Sequence, residues 1–351
     1  MELRKGVFPV WVIWLICLAA LIVCRNAVTE AILKGLDQCV RVVIPSLFPF
    51  FLVVNLLLGT EFPDLLAKKF GRWMEWLFHL PAVGSVAMIL SLLGGYPIGA
   101  KTAAELCQQQ RLDRACAQRL LACCNNTGPA IFFGLIGGTL YPDIRLPLIM
   151  YLIHILSCLM SGVLLRPDRP PRPSPLPAAS HRKGSVTQAI RSAFSSCVGI
   201  SVFVVAFRIV IELTGRFIHA LCPALAATPA AGAVLAGLLD LPNGISALQT
   251  VKPLPLQFFL CNAFVGWAGL CIHLQTRAVT EPAGLKLTWH WIGKLTQCVC
   301  AMILSIPVCC YLSGASAPVL LWVPAIAVIF IFLKTKVEIS GISRYNRYKV
   351  G

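Results

Sequence analysis

Uncharged apolar segments recur along the whole chain, and they restrict its fold more than any other feature. A membrane-spanning helix needs about 20 consecutive apolar residues, so a chain of 351 residues has room for roughly eight to ten of them. Membrane-spanning β-strands run only about 10 residues and alternate in polarity, which these segments do not. We therefore predict an all-α polytopic membrane protein. The candidate spans are Val7–Cys24, Val40–Leu58, Ala82–Gly95, Gly128–Leu140, Leu146–Leu165, Ala193–Leu213, Ala230–Leu241, Leu256–His273, Val299–Leu312 and Pro318–Leu333.

Composition excludes other classes of protein. Hydrophobic residues make up 58% of the chain, charged residues 13%, and the mean hydropathy is +0.79. A soluble domain carries about twice that share of charge, so a soluble enzyme and a disordered chain are both excluded. The 16 cysteines form no CxxC pair and most lie in apolar segments, so they predict neither a metal site nor a cofactor.

Half of the net charge of +16 comes from two basic segments outside the apolar ones. A Pro-rich linker at 166–185 and a tail at 334–351 each hold five Lys or Arg against one acidic residue. The positive-inside rule places both in the cytoplasm, so the charge predicts topology and no nucleic-acid partner. The predicted organisation is an N-terminal membrane helix (1–27), a first membrane repeat (28–165), the linker (166–185), a second membrane repeat (186–313), a C-terminal membrane helix (314–333) and the tail (334–351).

The two membrane halves share an ordered pair of motifs. Pro97-Ile98-Gly99 is followed by Cys124-Asn125 in the first half, and Pro242-Asn243-Gly244 is followed by Cys261-Asn262 in the second. Several of the apolar segments beside these motifs are too short to cross a bilayer and end at Gly, Pro or Asn. Repeats with interrupted helices are typical of secondary transporters. The sequence therefore predicts two structural repeats with broken or re-entrant helices. It leaves open whether the second repeat is inverted in the membrane relative to the first.

Ionisable residues within the apolar segments are candidates for function. Arg208 and Glu212 are four residues apart and can pair on one helix face. Asp240 precedes Pro242 and could bind a coupling cation or cap a half-helix. Lys101 follows the first break and could reach the membrane surface or present positive charge to an anionic substrate.

Polar uncharged residues near the breaks could line a cavity. Asn125, Asn126 and Asn262 each offer a donor and an acceptor without a charge, which suits either a substrate cavity or an interhelical hydrogen bond. His273 and Gln275 close an apolar segment, where a substrate role and simple helix capping are both open. The chain has no Gly-rich loop ending in Gly-Lys-Ser/Thr, no HExxH and no GxSxG motif, so we predict neither an enzyme nor an ATP-driven pump.

Five motifs together resemble a known family. They are PSLFPFF (Pro45–Phe51), GGYPIGAK (Gly94–Lys101), CNNTGPA (Cys124–Ala130), LPNGI (Leu241–Ile245) and GLCIHLQ (Gly269–Gln275), and they resemble the YlbJ (SpoVV) family of sporulation integral membrane proteins. The resemblance implies paired nucleoside-recognition (gate) domains and a fold similar to that of concentrative nucleoside transporters. It also implies transport of dipicolinic acid across the outer forespore membrane, with the linker and the C-terminus in the cytoplasm.

The resemblance also implies positions for the substrate. They are Gly94, Gly95, Tyr96, Pro97, Gly99, Lys101, Asn125, Asn126, Thr127, Gly128, Asn243, Gly244, Asn262, His273 and Gln275, with Asp240 as the candidate for ion coupling. Replacing Asn125 or Lys101 with Ala is expected to abolish transport. A nucleoside transporter and a non-transporting spore-envelope scaffold remain alternatives. The expected partners are the small organic anion and the lipid bilayer, with a coupling ion and a homo-oligomer left open.

Overall fold

The structure is a computed structural model, and it describes residues 10–167 and 185–314. Those residues contain helices, turns and loops and no β-strand, so the predicted all-α class is confirmed for them. Most of the linker, the predicted C-terminal helix 314–333 and the tail 334–351 lie outside the described residues. The helices are α1 (Val10–Val23), α2 (Arg25–Gln38), α3 (Ile44–Leu58), α4 (Phe62–Phe78), α5 (Gly84–Gly94), α6 (Ile98–Gln108), α7 (Arg114–Leu120), α8 (Gly137–Thr139), α9 (Arg145–Leu164), α10 (Val186–Leu221), α11 (Pro223–Ala226), α12 (Pro229–Leu239), α13 (Leu241–Ala247), α14 (Leu254–Trp267), α15 (Gly269–Thr280) and α16 (Thr288–Leu312).

Within the described ranges, five helical stretches are long and apolar enough to cross a membrane. Many large apolar side chains on them are exposed, such as Val202 and Leu295, as lipid-facing residues are in a membrane protein. These findings support a polytopic membrane protein. The five stretches are Arg25–Leu57, Arg145–Leu164, Val186–Leu221, Leu254–Ala283 and Thr288–Leu312.

Four of these five stretches are longer than the hydropathy pattern predicts, and α16 and α10 are two of them. The helix expected at Val299–Leu312 begins at Thr288, and the one expected at Ala193–Leu213 extends over Val186–Leu221. The early start of α16 has a physical reason: its first three turns bury polar side chains on the inward face, and these lower the mean hydropathy of the segment. As a consequence, residues 288–298 belong to the helical core.

The polar stretch at 101–121 predicts two short helices, at 103–110 and 114–121, with Asp113 as the N-cap of the second or a plain loop as the alternative, and the structure contains both helices. α6 ends at Gln108, and α7 begins after Asp113, whose carboxylate accepts a hydrogen bond from Cys116 N at 2.8 Å. This is the expected N-cap contact. Both helices pack on the main helical core through small residues such as Ala103 and Ala117, which are fully buried.

The predicted pairing of Arg208 with Glu212 is wrong. Glu212 accepts a hydrogen bond from Arg216 Nε at 2.9 Å, which lies one helical turn farther along α10. Arg208 Nη1 instead donates to Asn243 Oδ1 at 3.4 Å. Because both Arg208 and Arg216 lie four residues from Glu212, spacing alone allows either pair, and the tertiary contact with Asn243 decides between them.

Candidate functional site

Four interruptions between helices meet in the interior. Two follow α5 and α7 in the first half, and two follow α12 and α14 in the second. A Cβ placed on Gly128 would lie 2.7 Å from the backbone nitrogen of Gly95, and one on Gly269 would lie 3.0 Å from Asp240 Cα. Gly95 also has a φ of +78°, which glycine adopts without strain. Glycine at these positions therefore lets the backbones of each pair of breaks touch.

A small cavity lies between the breaks. Its volume is about 30 Å³, which is enough for one or two water molecules and too small for an aromatic ring. An aromatic molecule could therefore enter this cavity only if the breaks separated. The lining residues are Leu47, Phe51, Gly94, Gly95, Tyr96, Gly128, Ala130, Ile131, Ile200, Asp240, Leu241, Pro242, Ile272 and Gln275.

A lysine that the sequence motifs do not indicate contacts Tyr96, one of the residues that line this cavity. Lys294, on α16, is completely buried. Its Nζ donates to the hydroxyl oxygen of Tyr96 at 3.1 Å and to Gln297 Oε1 at 2.7 Å. No carboxylate in residues 10–167 or 185–314 forms an ion pair with it. An ammonium group buried without an acidic partner is costly, and such groups in membrane proteins usually serve a ligand or a transport pathway.

Close backbone packing places Lys294 at this position. A Cβ on the preceding residue, Gly293, would lie 2.2 Å from the carbonyl oxygen of Ala122, which follows α7. On the other side of the same segment, a Cβ on Gly99 would lie 1.6 Å from the carbonyl oxygen of Cys124. Two glycines thus let α6 and α16 close directly on the segment that leads to Asn125.

A hydrogen-bond network extends from Lys294 to the second break of the first half. Gln297 Nε2 donates to Asn126 Oδ1 at 3.2 Å, and Asn126 Nδ2 donates to Ser91 Oγ at 2.9 Å. The backbone N–H of Thr127 donates to His154 Nε2 at 3.1 Å. These five side chains are all buried, and they hold the non-helical segment after α7 in one conformation.

The two asparagines that the sequence motifs align have different environments. Asn125 lies in the non-helical segment, where its Nδ2 donates to Thr276 Oγ1 at 2.7 Å and its Oδ1 has no partner within the described residues. Asn262 lies inside α14, where its Nδ2 donates to the carbonyl oxygen of Phe258 at 2.9 Å. Asn125 therefore joins the two halves, whereas Asn262 bonds within its own helix.

Asp240 occupies the break between α12 and α13. Its Oδ2 accepts hydrogen bonds from the backbone N of Asn243 at 3.0 Å and from Asn243 Nδ2 at 2.8 Å. Because Asn243 also accepts from Arg208, one amide links the buried acid to a basic side chain. The carboxylate acts as the N-cap of α13, which was one of the two predicted roles.

A pair of buried imidazoles lies near the start of α16. His290 is one helical turn before Lys294, and His273 is on α15. The His273 ring stacks on Trp291 with centroids 3.9 Å apart, and it meets the His290 ring edge-on at 4.9 Å. The backbone carbonyls of Trp267 and Leu121 lie near the two rings. None of the four ring nitrogens makes a hydrogen bond of normal geometry with the described residues.

The structure brings most of the predicted site residues together, with one clear exception. Lys101 lies on the exposed side of α6, where its side chain is outside the buried network, and this position fits the membrane-surface alternative. Pro97 is partly buried. The other predicted residues are buried, and six of them line the cavity: Gly94, Gly95, Tyr96, Gly128, Asp240 and Gln275.

Sequence reasoning missed Lys294, His290, Gln297 and Thr276. The available signal was the spacing of His290, Lys294 and Gln297, which places three polar residues on one face of a segment rich in tryptophan. Within the described ranges, no group of three His, Cys, Asp or Glu side chains is placed to hold a metal ion.

Comparisons with known proteins support the membrane assignment. Over 137 residues, or 39% of this chain, the sequence is 31% identical to the sporulation integral membrane protein YlbJ of Bacillus subtilis (strain 168). The aligned part is 34% of that relative, so the chain matches about a third of its length. No family model and no solved structure matches. The chain is thus similar to an integral membrane protein of sporulation.

Proposed function

We propose that this chain is a transporter of a small organic anion, and that the anion is dipicolinic acid crossing the outer forespore membrane during sporulation. The observation that carries the proposal is Lys294, a fully buried ammonium group with no acidic partner in the described residues. It donates a hydrogen bond to Tyr96, which lines the cavity where helix breaks meet. A carboxylate would offset this charge and recover much of the cost of burying it. The similarity to a sporulation membrane protein supports the biological setting.

The surrounding groups suit a planar dicarboxylate. Lys294 would contact one carboxylate, and Asn125 Oδ1, which lacks a partner in the described part of the chain, lies in the same buried region. Tyr96 bonds to Lys294 and lines the cavity, so an aromatic ligand could pack beside it. The starts of α6 and α15 have no side-chain cap and would place partial positive charge near a bound anion.

The paired breaks supply a route for opening. In each half, two interruptions touch through glycine, and a helix interrupted in this way can move as two half-helices. We propose that the halves are structural repeats and that separation of the breaks exposes the cavity to one side of the membrane at a time. On this proposal the fold is related to that of concentrative nucleoside transporters, with the linker and C-terminus in the cytoplasm.

The decisive experiment measures flux through the purified chain. Labelled dipicolinate is supplied to proteoliposomes, with labelled uridine in parallel vesicles. We expect dipicolinate to enter and uridine to stay outside. Asn125→Ala should remove the flux while the protein remains in the bilayer, because Asn125 joins the halves through Thr276. Lys101→Ala is the matched control, since Lys101 is exposed outside the buried network.

Two other outcomes would support the alternatives. Uridine flux without dipicolinate flux would indicate a nucleoside transporter. A scaffold would move neither substrate, and its role would depend on its basic linker. Deletion of residues 169–181 separates these cases, because a transporter should keep its flux whereas a scaffold should lose its function in sporulating cells.

A further inference from the structure

The inward face of α16 carries a row of buried polar side chains. His290, Lys294 and Gln297 are spaced by four and three residues, so they share one face, and each is completely buried. The row spans about 10 Å along the helix. Polar residues at this density are expensive inside a membrane protein, and rows of this kind accompany the movement of ions or protons.

At the N-terminal end of this row, the ring of His290 meets the ring of His273 from α15. His273 is 1% exposed and His290 is fully buried, and the His273 ring packs against both Trp267 and Trp291. A neutral imidazole has one nitrogen that can accept a proton. One backbone carbonyl lies near each ring, so each ring keeps a nitrogen without a partner among the described residues. Each ring of the pair can therefore accept a proton.

The charges around the cavity show what such a proton would do. Asp240 and Arg208 are linked through Asn243 and offset each other. The ammonium group of Lys294 then supplies a single uncompensated positive charge. A dicarboxylate brings two negative charges, so the loaded site would retain one negative charge. One proton on the imidazole pair makes the loaded site neutral, and a neutral site is the least costly one to bury.

We propose that His273 and His290 form a proton-binding site, and that one proton crosses the membrane with each dicarboxylate. The inference rests on the proposed function and adds the identity of the coupling ion. The proton enters from the side on which the anion binds and leaves with the anion. The other titratable or charged groups that face the pair and Lys294 are Tyr96 before α6, Cys123 and Cys124 after α7, His154 and Cys158 on α9, and Cys298 on α16. None of these is a carboxylate.

The test uses the purified full chain in proteoliposomes that contain a pH-sensitive dye, with the membrane potential clamped. Dipicolinate entry should acidify the interior by one proton per molecule. With this stoichiometry, each pH unit of inward proton gradient should raise dipicolinate accumulation about tenfold. His290→Gln should remove that accumulation yet still exchange labelled for unlabelled dipicolinate at equal pH, and this exchange also shows that the variant is folded. His273→Gln should remove the accumulation as well. His219→Gln, at an exposed position of α10, should behave as the unmodified chain.

Two results would overturn the inference alone. In the first, vesicles with the unmodified chain take up dipicolinate without any proton. In the second, vesicles with either histidine variant still accumulate dipicolinate about tenfold for each pH unit of gradient. If the unmodified chain moves no dipicolinate under any gradient, the proposed function fails, and the coupling inference fails with it.

Discussion

Replacing Lys294 with Met separates a functional lysine from a structural one. Methionine keeps the length and most of the volume of the side chain and removes the charge. Removing a charge from the membrane interior recovers about 3 kcal/mol. The two hydrogen bonds from Nζ to Tyr96 and Gln297 are lost at about 1.5 kcal/mol each. The two effects nearly cancel, so we expect the free energy of unfolding to change by no more than about 1 kcal/mol.

The effect on ligand binding should be much larger. A buried carboxylate that loses its charged partner loses about 3 kcal/mol of binding free energy, which is about a hundredfold in affinity. The assay compares dipicolinate uptake with thermal unfolding of the purified chain, and Lys286→Met serves as the control because Lys286 is exposed just before α16. We expect Lys294→Met to unfold at an almost unchanged temperature and to transport poorly. Uptake with unchanged affinity would refute the reasoning, as would a large loss of stability, which would make the lysine structural.

Three further predictions concern packing, coupling and reactivity. Gly99→Ala should lower the free energy of unfolding by at least about 3 kcal/mol, because the new methyl group would overlap the carbonyl oxygen of Cys124. Gly199→Ala has open space around it on α10 and should raise that free energy by up to about 1 kcal/mol, and unfolding measurements on both variants check this. Asp240→Asn should weaken the start of α13 by about 1 kcal/mol, which thermal unfolding measures. It should also remove the dependence of accumulation on the proton gradient, because Arg208 would then balance the second carboxylate charge, and a dependence as strong as in the unmodified chain would contradict the charge balance. Burial, and then the neighbouring Asp113 carboxylate, raise the pKa of the Cys116 thiol to about 12, so the thiolate fraction at pH 8 is about 10⁻⁴. Maleimide should therefore label Cys116 far more slowly than the exposed Cys222, and equal labelling rates in single-cysteine variants would contradict this.

The general fold could be predicted because lipid imposes strong requirements on a sequence. Long uncharged apolar segments must be helical in a bilayer, since no other local structure satisfies their backbone groups. Capping is similarly local, and Asp113 was predicted at the start of α7 because its side chain reaches the free N–H groups of the first turn. The partner of Arg208 could not be predicted, because two acceptors on different helices compete and only the folded chain places Asn243 within reach.

The candidate site was predictable only where backbone chemistry marks it. Gly95 and Gly128 stand at breaks in apolar segments, and the structure brings their backbones into contact. The alignment of Asn125 with Asn262 does not extend to local structure, because the first lies in a non-helical segment and the second inside α14. A short motif fixes residue identity and says little about where the helix ends.

Lys294 shows why the most informative residue was also the hardest to find. Average hydropathy treats a lysine as a sign that a membrane span has ended, so the predicted span begins at Val299, after the lysine. In the folded chain the lysine lies inside the helix and faces inward, where Tyr96 and Gln297 satisfy its hydrogen bonds but not its charge. The lack of a negative charge near this lysine becomes visible only when the fold brings distant parts of the chain around it. For this reason the transport proposal depends on the tertiary structure, and a substitution that removes the charge alone tests it most directly.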